Sequence, residues 1–260
     1  MTNTRTALIG HTGFVGETLK RHTHFDALFH STDIQKIEGG SFDLVVCAGA
    51  PAAKWKANQD PPGDRLNIEK LMRHLSTVSA HQFVLISTVD VFDEPLGVDE
   101  DSTPTPGPSN AYGSNRLLLE SYLRDKFRAT VVRLPGLFGT GLRKNAIYDL
   151  LHQHNVDLLQ PMSTFQFYDM SGLWSDLLRI LAARVPVAHV CPEPVRLLDV
   201  ARSVFQCDMG PRPSIPVVHY DLRTRFGSLW GRTDGHTHGR DEVIAGLQAF
   251  VASEKGGAGA

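Results

Sequence analysis

The chain has 260 residues, which is enough for one large domain or for a domain with a small additional lobe. Hydrophobic residues make up 42% of it and charged residues 21%, a balance that is typical of a folded globular protein and excludes a disordered chain. The 26 basic and 28 acidic residues give a formal net charge of -2. No basic field is therefore available to recruit nucleic acid or an anionic membrane.

The cysteines and the apolar runs indicate the compartment. Cys47, Cys191 and Cys207 are far apart and odd in number, which argues against a disulfide framework and predicts a reducing, cytoplasmic location. No apolar run reaches the roughly eighteen residues of a membrane span. We therefore expect neither a membrane span nor a secretory signal.

The first half of the chain alternates short apolar runs with segments of helical periodicity. Strands are predicted at residues 6–9, 26–30, 42–48, 82–87 and 129–134, and helices at 13–21, 65–79 and 112–127. This alternation predicts an α/β fold with a doubly wound parallel sheet of the Rossmann type. The ligand crevice of such a sheet lies at the carboxyl ends of its strands.

The second half has a different pattern. Helices are predicted at residues 145–154, 173–184, 195–205 and 241–253, with short extended pieces such as 214–220 between them. The prolines and glycine of residues 103–108 predict an irregular loop.

A glycine-rich loop follows the first strand directly. Gly10, Gly13 and Gly16 have the spacing G-x-x-G-x-x-G. The first glycine would allow a sharp turn, the second would let the backbone approach a pyrophosphate, and the third would let the helix pack on the sheet. The helix N-terminus would supply free N–H groups to the phosphates. The dinucleotide-binding residues predicted from this loop are Gly10, Thr12, Gly13, Phe14, Val15 and Gly16.

The choice between NAD and NADP stays open. An acidic residue about twenty positions after the loop would bind a ribose hydroxyl and favour NAD. Twenty positions after Gly10 the chain reaches His30 and Ser31, with Asp33 slightly later. We predict that His30 and Ser31 line the cofactor site.

Hydroxyl groups and a tyrosine predict a proton-transfer site. Ser87 and Thr88 end the fourth strand, and Tyr112 and Arg116 are four residues apart on one face of a helix. A cation beside a phenol lowers the phenol pKa, which would prepare Tyr112 for proton transfer near neutral pH. A hydroxyl from the strand end would orient the same substrate oxygen.

With these motifs the chain resembles the extended short-chain dehydrogenase/reductase superfamily, in particular its NAD-dependent epimerases and dehydratases of nucleotide sugars. The resemblance covers about residues 5–205. It rests on Gly10–Gly16, Cys47–Ala50, Asn67, Ser87–Thr88, Tyr112 with Arg116, and residues 132–139. It implies further cofactor-binding residues, namely Ala48, Gly49, Ala50, Asn67, Tyr112, Arg116 and Pro135.

Three departures from the family bear on function. The family has Tyr-x-x-x-Lys, whose lysine binds the nicotinamide ribose and helps a proton relay; Arg116 keeps the charge but cannot release a proton. Val89 stands where dehydratases carry an aspartate, which argues against a 4,6-dehydratase. The segment between Phe25 and Phe42 is short, which predicts a trimmed adenine side.

The resemblance also implies a substrate half. Residues 1–140 are predicted to form the dinucleotide-binding domain, 141–255 mainly a small C-terminal α/β substrate-binding lobe interleaved with the sheet, and 256–260 a flexible tail. The predicted substrate-binding residues are Asp90, Arg143, Asn145 and Phe167. His236 and His238, with His219 and Asp234, lack an accompanying ligand set, so no metal is expected.

These observations predict an NAD(P)-dependent oxidoreductase or epimerase with Tyr112 as its acid/base. It would transfer a hydride to or from a carbinol carbon of a nucleotide sugar or a related polar carbonyl. A reductase and an epimerase use the same residues, so both stay open. The expected partner is a small-molecule substrate, and a homodimer is the assembly to test for. The alternative, favoured by Arg116 and Val89, is a catalytically weak dinucleotide-binding protein that acts as a redox sensor or a partner subunit.

Overall fold

The computed structural model describes residues 5–257 of the chain. Its strands are β1 Thr6–Ile9, β2 Ala27–Phe29, β3 Ser41–Cys47, β4 Ser79–Thr88, β5 Thr130–Leu134, β6 Gly136–Phe138, β7 Thr164–Phe165, β8 Phe167–Asp169, β9 Val187–His189 and β10 Val195–Arg196. Its α-helices are α1 Phe14–His22, α2 Lys54–Gln59, α3 Pro61–Leu75, α4 Ala111–Phe127, α5 Ala146–His152, α6 Leu173–Ala182, α7 Leu197–Phe205 and α8 Arg240–Gly257. None of the helices within residues 5–257 is both long and apolar enough to cross a membrane.

A six-stranded parallel sheet has the strand order β2-β1-β3-β4-β5-β9. Strand β1 pairs in parallel with β2 on one side and with β3 on the other, and β3 pairs in parallel with β4. The order reverses at β1, so the glycine loop after β1 lies at the switch point where such sheets bind ligands. The predicted doubly wound Rossmann-type fold is confirmed.

The differences from the predicted elements are local. Between β2 and β3 there is a short 3₁₀ turn, Ile34–Ile37, instead of a crossover helix, in line with the shortness of this segment. Helix α2 was not predicted. Helix α3 begins four residues early, because Asp60 accepts a hydrogen bond from the Gly63 N–H and prolines occupy its first turn. Helix α8 includes Gly256 and Gly257 of the predicted tail, and residues 258–260 lie outside the described part.

The described residues divide into two compact units. The sheet unit comprises residues 5–94, 102–133 and 173–188, and the second unit comprises 95–101, 134–172 and 189–257. Helix α6, which follows the predicted boundary at residue 140, belongs to the sheet unit.

The core of the sheet unit lies between the sheet and helices α3 and α4. Strands β1 and β3 contribute Ile9 and Val45, α3 contributes Ile68 and Leu71, and α4 contributes Leu119, all of them buried. Apolar side chains on both faces of the central strands are typical of a sheet covered by helices on each side. The two helices are thereby fixed against the strands whose ends carry the candidate site.

The second unit is built around two small strand pairs. Strands β6 and β8 pair in parallel, and β7 and β10 pair antiparallel. Its core contains side chains from β6 and from helices α5, α7 and α8, including Phe138, Leu150, Val200 and Leu247.

A buried ionic cluster joins β5 to α4 in the sheet unit. Arg133 donates to Glu120 through Nε at 3.1 Å and Nη2 at 2.7 Å, and the Ser87 hydroxyl donates to the same carboxylate at 2.5 Å. Arg133 is 3% exposed and Glu120 is 1% exposed. Loss of either charge would therefore leave the other one buried without its main partner.

Replacing Glu120 by alanine should lower the free energy of unfolding by about 3–5 kcal/mol, because the buried guanidinium loses its anion. Chemical denaturation measures the change. The matched control is Glu69→Ala on α3, which breaks an exposed ion pair with Arg65. It should cost only about 0.2–1 kcal/mol. Equal effects of the two substitutions would contradict the assignment of Glu120 as a buried ionic partner.

Candidate functional site

The glycine loop forms a sharp turn at the carboxyl end of β1. Gly10 has a φ of +83°, and a Cβ at this position would collide with the carbonyl group of Ala48. Its N–H donates to the Phe29 carbonyl oxygen at 2.8 Å. A Cβ on Gly16 would collide with the Gly10 carbonyl oxygen, so both glycines are required by the packing of the loop. The turn and the close helix approach predicted from the sequence are thus present.

Gly13 differs from the other two glycines of the loop. Its φ is -81°, an ordinary value, and a Cβ would lie 3.5 Å from the Gly10 carbonyl oxygen, which is normal van der Waals contact. The fold itself does not require glycine here. Gly13 is exposed and begins helix α1 without a side-chain cap in the described structure. No side chain within residues 5–257 therefore caps the free backbone N–H groups in the first turn of α1.

The end of β2 brings together His30, Ser31 and His11. The rings of His11 and His30 meet edge to face, with centroids 5.2 Å apart. The Asp33 carboxylate accepts the His30 N–H at 2.8 Å, and Lys70 Nζ lies 3.4 Å from the Ser31 carbonyl oxygen. Burial, with a contribution from Lys20, lowers the pKa of His11. This edge carries both imidazoles and a carboxylate, which keeps the choice between NAD and NADP open.

Ser87 and Thr88 have different partners at the carboxyl end of β4. Successive strand side chains point to opposite faces. Ser87 donates to the buried Glu120, whereas the Thr88 hydroxyl donates to the Asp90 carboxylate at 3.4 Å and lies near enough to Tyr112 to act on the phenol pKa. Thr88 also accepts the Asp90 N–H at 3.1 Å. Of the two predicted hydroxyl residues, the structure brings Thr88 to Tyr112.

The N-terminus of α4 is tied to the end of β4. Asn110 accepts the Gly113 N–H at 3.0 Å and donates through Nδ2 to the Asp90 carbonyl oxygen at 2.7 Å. A Cβ on Gly113 would collide with that carbonyl. The Tyr112 N–H donates to Asn58 of α2 at 2.9 Å. These bonds fix Tyr112 beside Thr88.

Arg116 is buried against Tyr112 and an acidic side chain. Its Cζ lies 4.0 Å from the centroid of the Tyr112 ring. Nη1 donates to the Asp64 carboxylate, and Nη2 donates to the Pro51 carbonyl oxygen. Arg116 is 3% exposed, and its Nε has no hydrogen-bond partner within residues 5–257.

The pKa of Tyr112 is raised overall, so the predicted fall toward neutral pH is not found, although Arg116 does act to lower the pKa. Burial is the largest cause; Arg116 and the nearby Thr88 hydroxyl act in the opposite direction, and Asp90 and Asp64 add to the rise. The physical reason is that the phenolate would lose its hydration while the nearby carboxylates offset the guanidinium. The phenol therefore keeps its proton at neutral pH.

A second ion pair lies beside Thr88. Lys54 at the start of α2 donates to Asp90 at 2.7 Å, and the other Asp90 oxygen lies 3.4 Å from the Thr88 hydroxyl. Lys54 keeps 42% of its side chain exposed. Sequence reasoning missed Lys54 and Asp64. Asp64 could have been found, since it shares the buried face of α3 with Ile68, Leu71 and Leu75 at helical spacing.

The remaining predicted cofactor residues of the sheet unit differ in their burial. Ala48, Gly49 and Ala50 follow β3 and are half-buried, and the Ala48 N–H donates to the Ile9 carbonyl oxygen at 2.9 Å. Asn67 is exposed and donates to the Gly63 carbonyl oxygen of its own helix. On α3 the buried polar residue is Asp64.

Four predicted site residues lie in the second unit. Pro135 links β5 to β6 and is half-buried, and Arg143 is exposed before α5. Asn145 caps α5: its Oδ1 accepts the Ile147 N–H at 3.0 Å, and its Nδ2 donates to the Leu137 carbonyl oxygen at 2.7 Å. Phe167 is 3% exposed and belongs to the core. Asn145 therefore serves as a helix cap, and Phe167 packs in the core.

The histidine-rich segment near residue 236 forms an ionic cluster with Glu193. One ligand atom each of Glu193, Asp234 and His236 lies within 4.8 Å of the others. His236 Nε2 is 2.9 Å from Asp221, while Arg232 pairs with Asp234 and lies 3.6 Å from Glu193. The guanidinium thus supplies positive charge to these carboxylates.

Several solved structures are similar to this chain over nearly its whole length. They include RMD from Pseudomonas aeruginosa complexed with NADPH, with 17% identity, a TM-score of 0.72 and coverage of 96% of this chain and 100% of that one. The dTDP-4-dehydrorhamnose reductase from Bacillus anthracis, in complex with NADP, has 15% identity, a TM-score of 0.73 and coverage of 97% and 99%. The UDP-N-acetylglucosamine 4-epimerase from Methanobrevibacter ruminantium, in complex with UDP-N-acetylmuramic acid, has 12% identity, a TM-score of 0.74 and coverage of 98% and 99%. At these identities the likeness shows the shared fold.

Sequence comparison identifies the family. No curated protein matches the chain significantly. The sequence model of the NAD dependent epimerase/dehydratase family matches residues 20–151, just over half of the chain, from within α1 to within α5. This segment contains Thr88, Tyr112 and Arg116. The chain belongs to the NAD dependent epimerase/dehydratase family.

Proposed function

We propose that the protein is an NAD(P)-dependent oxidoreductase or epimerase that transfers a hydride to or from a carbinol carbon of a nucleotide sugar or a related polar carbonyl. The observation that carries this proposal is the cluster of Thr88, Tyr112 and Arg116 in the sheet unit that also holds the glycine loop. A phenol with a hydroxyl partner and an adjacent cation can exchange a proton with a substrate oxygen.

Two features of the chain fit a nicotinamide dinucleotide. The backbone at Gly13 is open, and a side chain there would fill the space in which a pyrophosphate would lie. The packing of the fold does not itself exclude such a side chain. Arg116 Nε is a buried donor without a partner among the described residues, as expected for a group that bonds a ligand. Solved structures with this fold were obtained with NADPH and with NADP. When bound, the nicotinamide would supply or accept the hydride.

The proton step falls to Tyr112. Its phenol donates a proton to the substrate oxygen in reduction, and Thr88 orients that oxygen through its hydroxyl. Arg116 stabilises the phenolate that forms. Because the pKa of Tyr112 is raised, the protonated phenol that the reductive step needs is present at neutral pH. In the Tyr-x-x-x-Lys pattern of the family, the lysine helps to return the proton to the tyrosine. Arg116, which stands in its place, stabilises the phenolate charge but does not release a proton.

Two of the predicted substrate-binding residues, Asp90 and Arg143, remain part of this proposal. Arg143, in the second unit, is exposed, so its guanidinium is accessible to an anionic group such as a diphosphate. Asp90 and Lys54, beside Thr88, present a carboxylate and an ammonium group to sugar hydroxyls. Asn145 and Phe167 support the second unit instead, through the cap of α5 and the core.

The ion pair of Arg116 favours one second candidate, a dinucleotide-binding protein with weak catalysis. Asp64 offsets the charge that would activate Tyr112, and burial raises the phenol pKa further. Such a protein would act as a redox sensor or a partner subunit.

Binding and turnover assays of the purified protein test both candidates. Calorimetry with NADH and NADPH should show binding of at least one. Nucleotide 4-keto sugars should then be reduced with stoichiometric loss of the reduced cofactor, or UDP-sugars should be interconverted without net loss. Binding without any turnover would favour the second candidate. Absence of binding to both dinucleotides would contradict the proposal.

A further inference from the structure

A carboxylate buried in the sheet unit lies directly on the cation of the candidate site. The Asp64 side chain on α3 is 5% exposed. Burial of an ionised carboxylate is costly unless other groups compensate its charge and its hydrogen bonds. Arg116 Nη1 and Asn115 Nδ2, the latter at 2.7 Å, both donate to the same Asp64 oxygen. Two consecutive residues of α4 are therefore held by one residue of α3.

The guanidinium of Arg116 is held along two edges. Asp64 binds Nη1 and the Pro51 carbonyl oxygen binds Nη2, while the guanidinium carbon lies over the Tyr112 ring, 4.0 Å from its centroid. A guanidinium is planar and rigid, so fixing both Nη atoms also fixes the direction of Nε. Nε is the nitrogen that has no partner among the described residues.

A lysine could not make this set of contacts. Its ammonium is a single point at the end of a flexible chain, whereas the fork of Arg116 reaches Asp64 and Pro51 at the same time. The carboxylate at position 64 and the arginine at position 116 are thus suited to each other. This pairing explains how an arginine can occupy the position that a lysine has in the family pattern.

We propose that Asp64 is a positioning residue of this site: its carboxylate holds the Arg116 guanidinium against Tyr112 and leaves Nε as the donor for the dinucleotide. This inference rests on the proposed function. A purely structural role would be limited to stabilising the contact between α3 and α4, and the experiments below separate the two roles.

The charges around Tyr112 give a readout in the protein without any dinucleotide. They come from Arg116 on α4, Asp64 on α3, Asp90 after β4, and Lys54 on α2 through its pair with Asp90. Asp64 acts to raise the pKa of Tyr112 and Arg116 acts to lower it. Asp64→Asn keeps the shape and an oxygen acceptor but removes the negative charge. The pKa of Tyr112 should therefore shift downward in this variant.

Fluorine NMR of protein labelled with 3-fluorotyrosine measures this shift. The ring fluorine lowers all phenol pKa values, so each titration is reached at a lower pH. The chain has five tyrosines, and Tyr112→Phe identifies the resonance of interest. The control Glu69→Gln removes an exposed carboxylate from the same helix and should leave the titration unchanged. An unchanged titration in Asp64→Asn would overturn the charge coupling.

Calorimetry with NADPH and NADH measures the positioning role. Asp64→Ala frees the guanidinium, so the affinity for whichever dinucleotide binds wild type should fall about tenfold or more, while Glu69→Gln keeps it. Should the alanine variant not fold, Asp64→Ser offers the buried donors a small acceptor and undergoes the same measurement. A folded variant with lower thermal stability but wild-type affinity would overturn the positioning role. If wild type binds neither dinucleotide, the proposed function fails, and the fluorine titration still decides the coupling.

Discussion

Replacing Tyr112 by phenylalanine should reduce turnover by about 10²–10⁴-fold, which is the usual contribution of a positioned general acid. The substitution removes the transferable proton and keeps the ring that lies against Arg116. Dinucleotide affinity and folding should therefore persist. Steady-state kinetics, calorimetry and thermal unfolding of the same preparation measure the three properties.

The matched control is Tyr122→Phe on the same helix. Tyr122 donates its hydroxyl to the Met72 carbonyl oxygen at 3.0 Å, within the packing of the sheet unit. Its loss should cost about 0.5–1.5 kcal/mol of stability and leave turnover intact. Full turnover by Tyr112→Phe would exclude the phenol as the acid. Because burial raises the pKa of Tyr112, the reductive rate of wild type should not decline as the pH rises through neutrality.

Replacing Gly13 by valine should abolish most dinucleotide binding without unfolding the protein. The backbone at Gly13 has an ordinary φ, and a Cβ would meet normal van der Waals contact. A pyrophosphate bound at the start of α1 would instead be displaced by the side chain. We expect a loss of about 100-fold in affinity, roughly 2.8 kcal/mol. The loss of glycine at the N-cap of α1 should cost only about 0.5–1.5 kcal/mol of stability.

Gly16→Ala provides the contrast within the same loop. Its Cβ would collide with the Gly10 carbonyl oxygen, so the fold itself must adjust. Overpacking of this kind costs roughly 1–3 kcal/mol of stability. Calorimetry with NADH and NADPH, together with denaturation, distinguishes the two variants. Wild-type affinity in Gly13→Val would refute the assignment of the loop to a pyrophosphate.

The features that could be predicted from the sequence are those that depend on local backbone geometry. Gly10 and Gly16 lie where a turn and a helix approach leave no room for a Cβ, and their spacing revealed the loop. Tyr112 and Arg116 are one helical turn apart, so their proximity followed from the period of α4. The family resemblance then supplied the expectation of a nicotinamide dinucleotide.

Strand and helix geometry explain several differences between prediction and structure. Ser87 and Thr88 are adjacent on a strand, so their side chains point to opposite faces, and of the two only Thr88 acts on Tyr112. Asn67 was expected at the site, but the buried polar residue of α3 is Asp64, one turn earlier. Asn145 and Phe167 are residue types that bind ligands in many proteins, and here a helix cap and the core occupy them.

The sequence by itself determined the order of the elements, the glycine loop and the pairing of Tyr112 with Arg116, because each depends on a short stretch of chain. Only the tertiary structure decided the electrostatics at Tyr112. Asp64 precedes Arg116 by 52 positions, and Lys54 precedes Asp90 by 36. Their charges meet only when the helices pack against the sheet. Burial then raises the pKa of the phenol more than the neighbouring guanidinium lowers it, a balance that spacing along the chain cannot reveal.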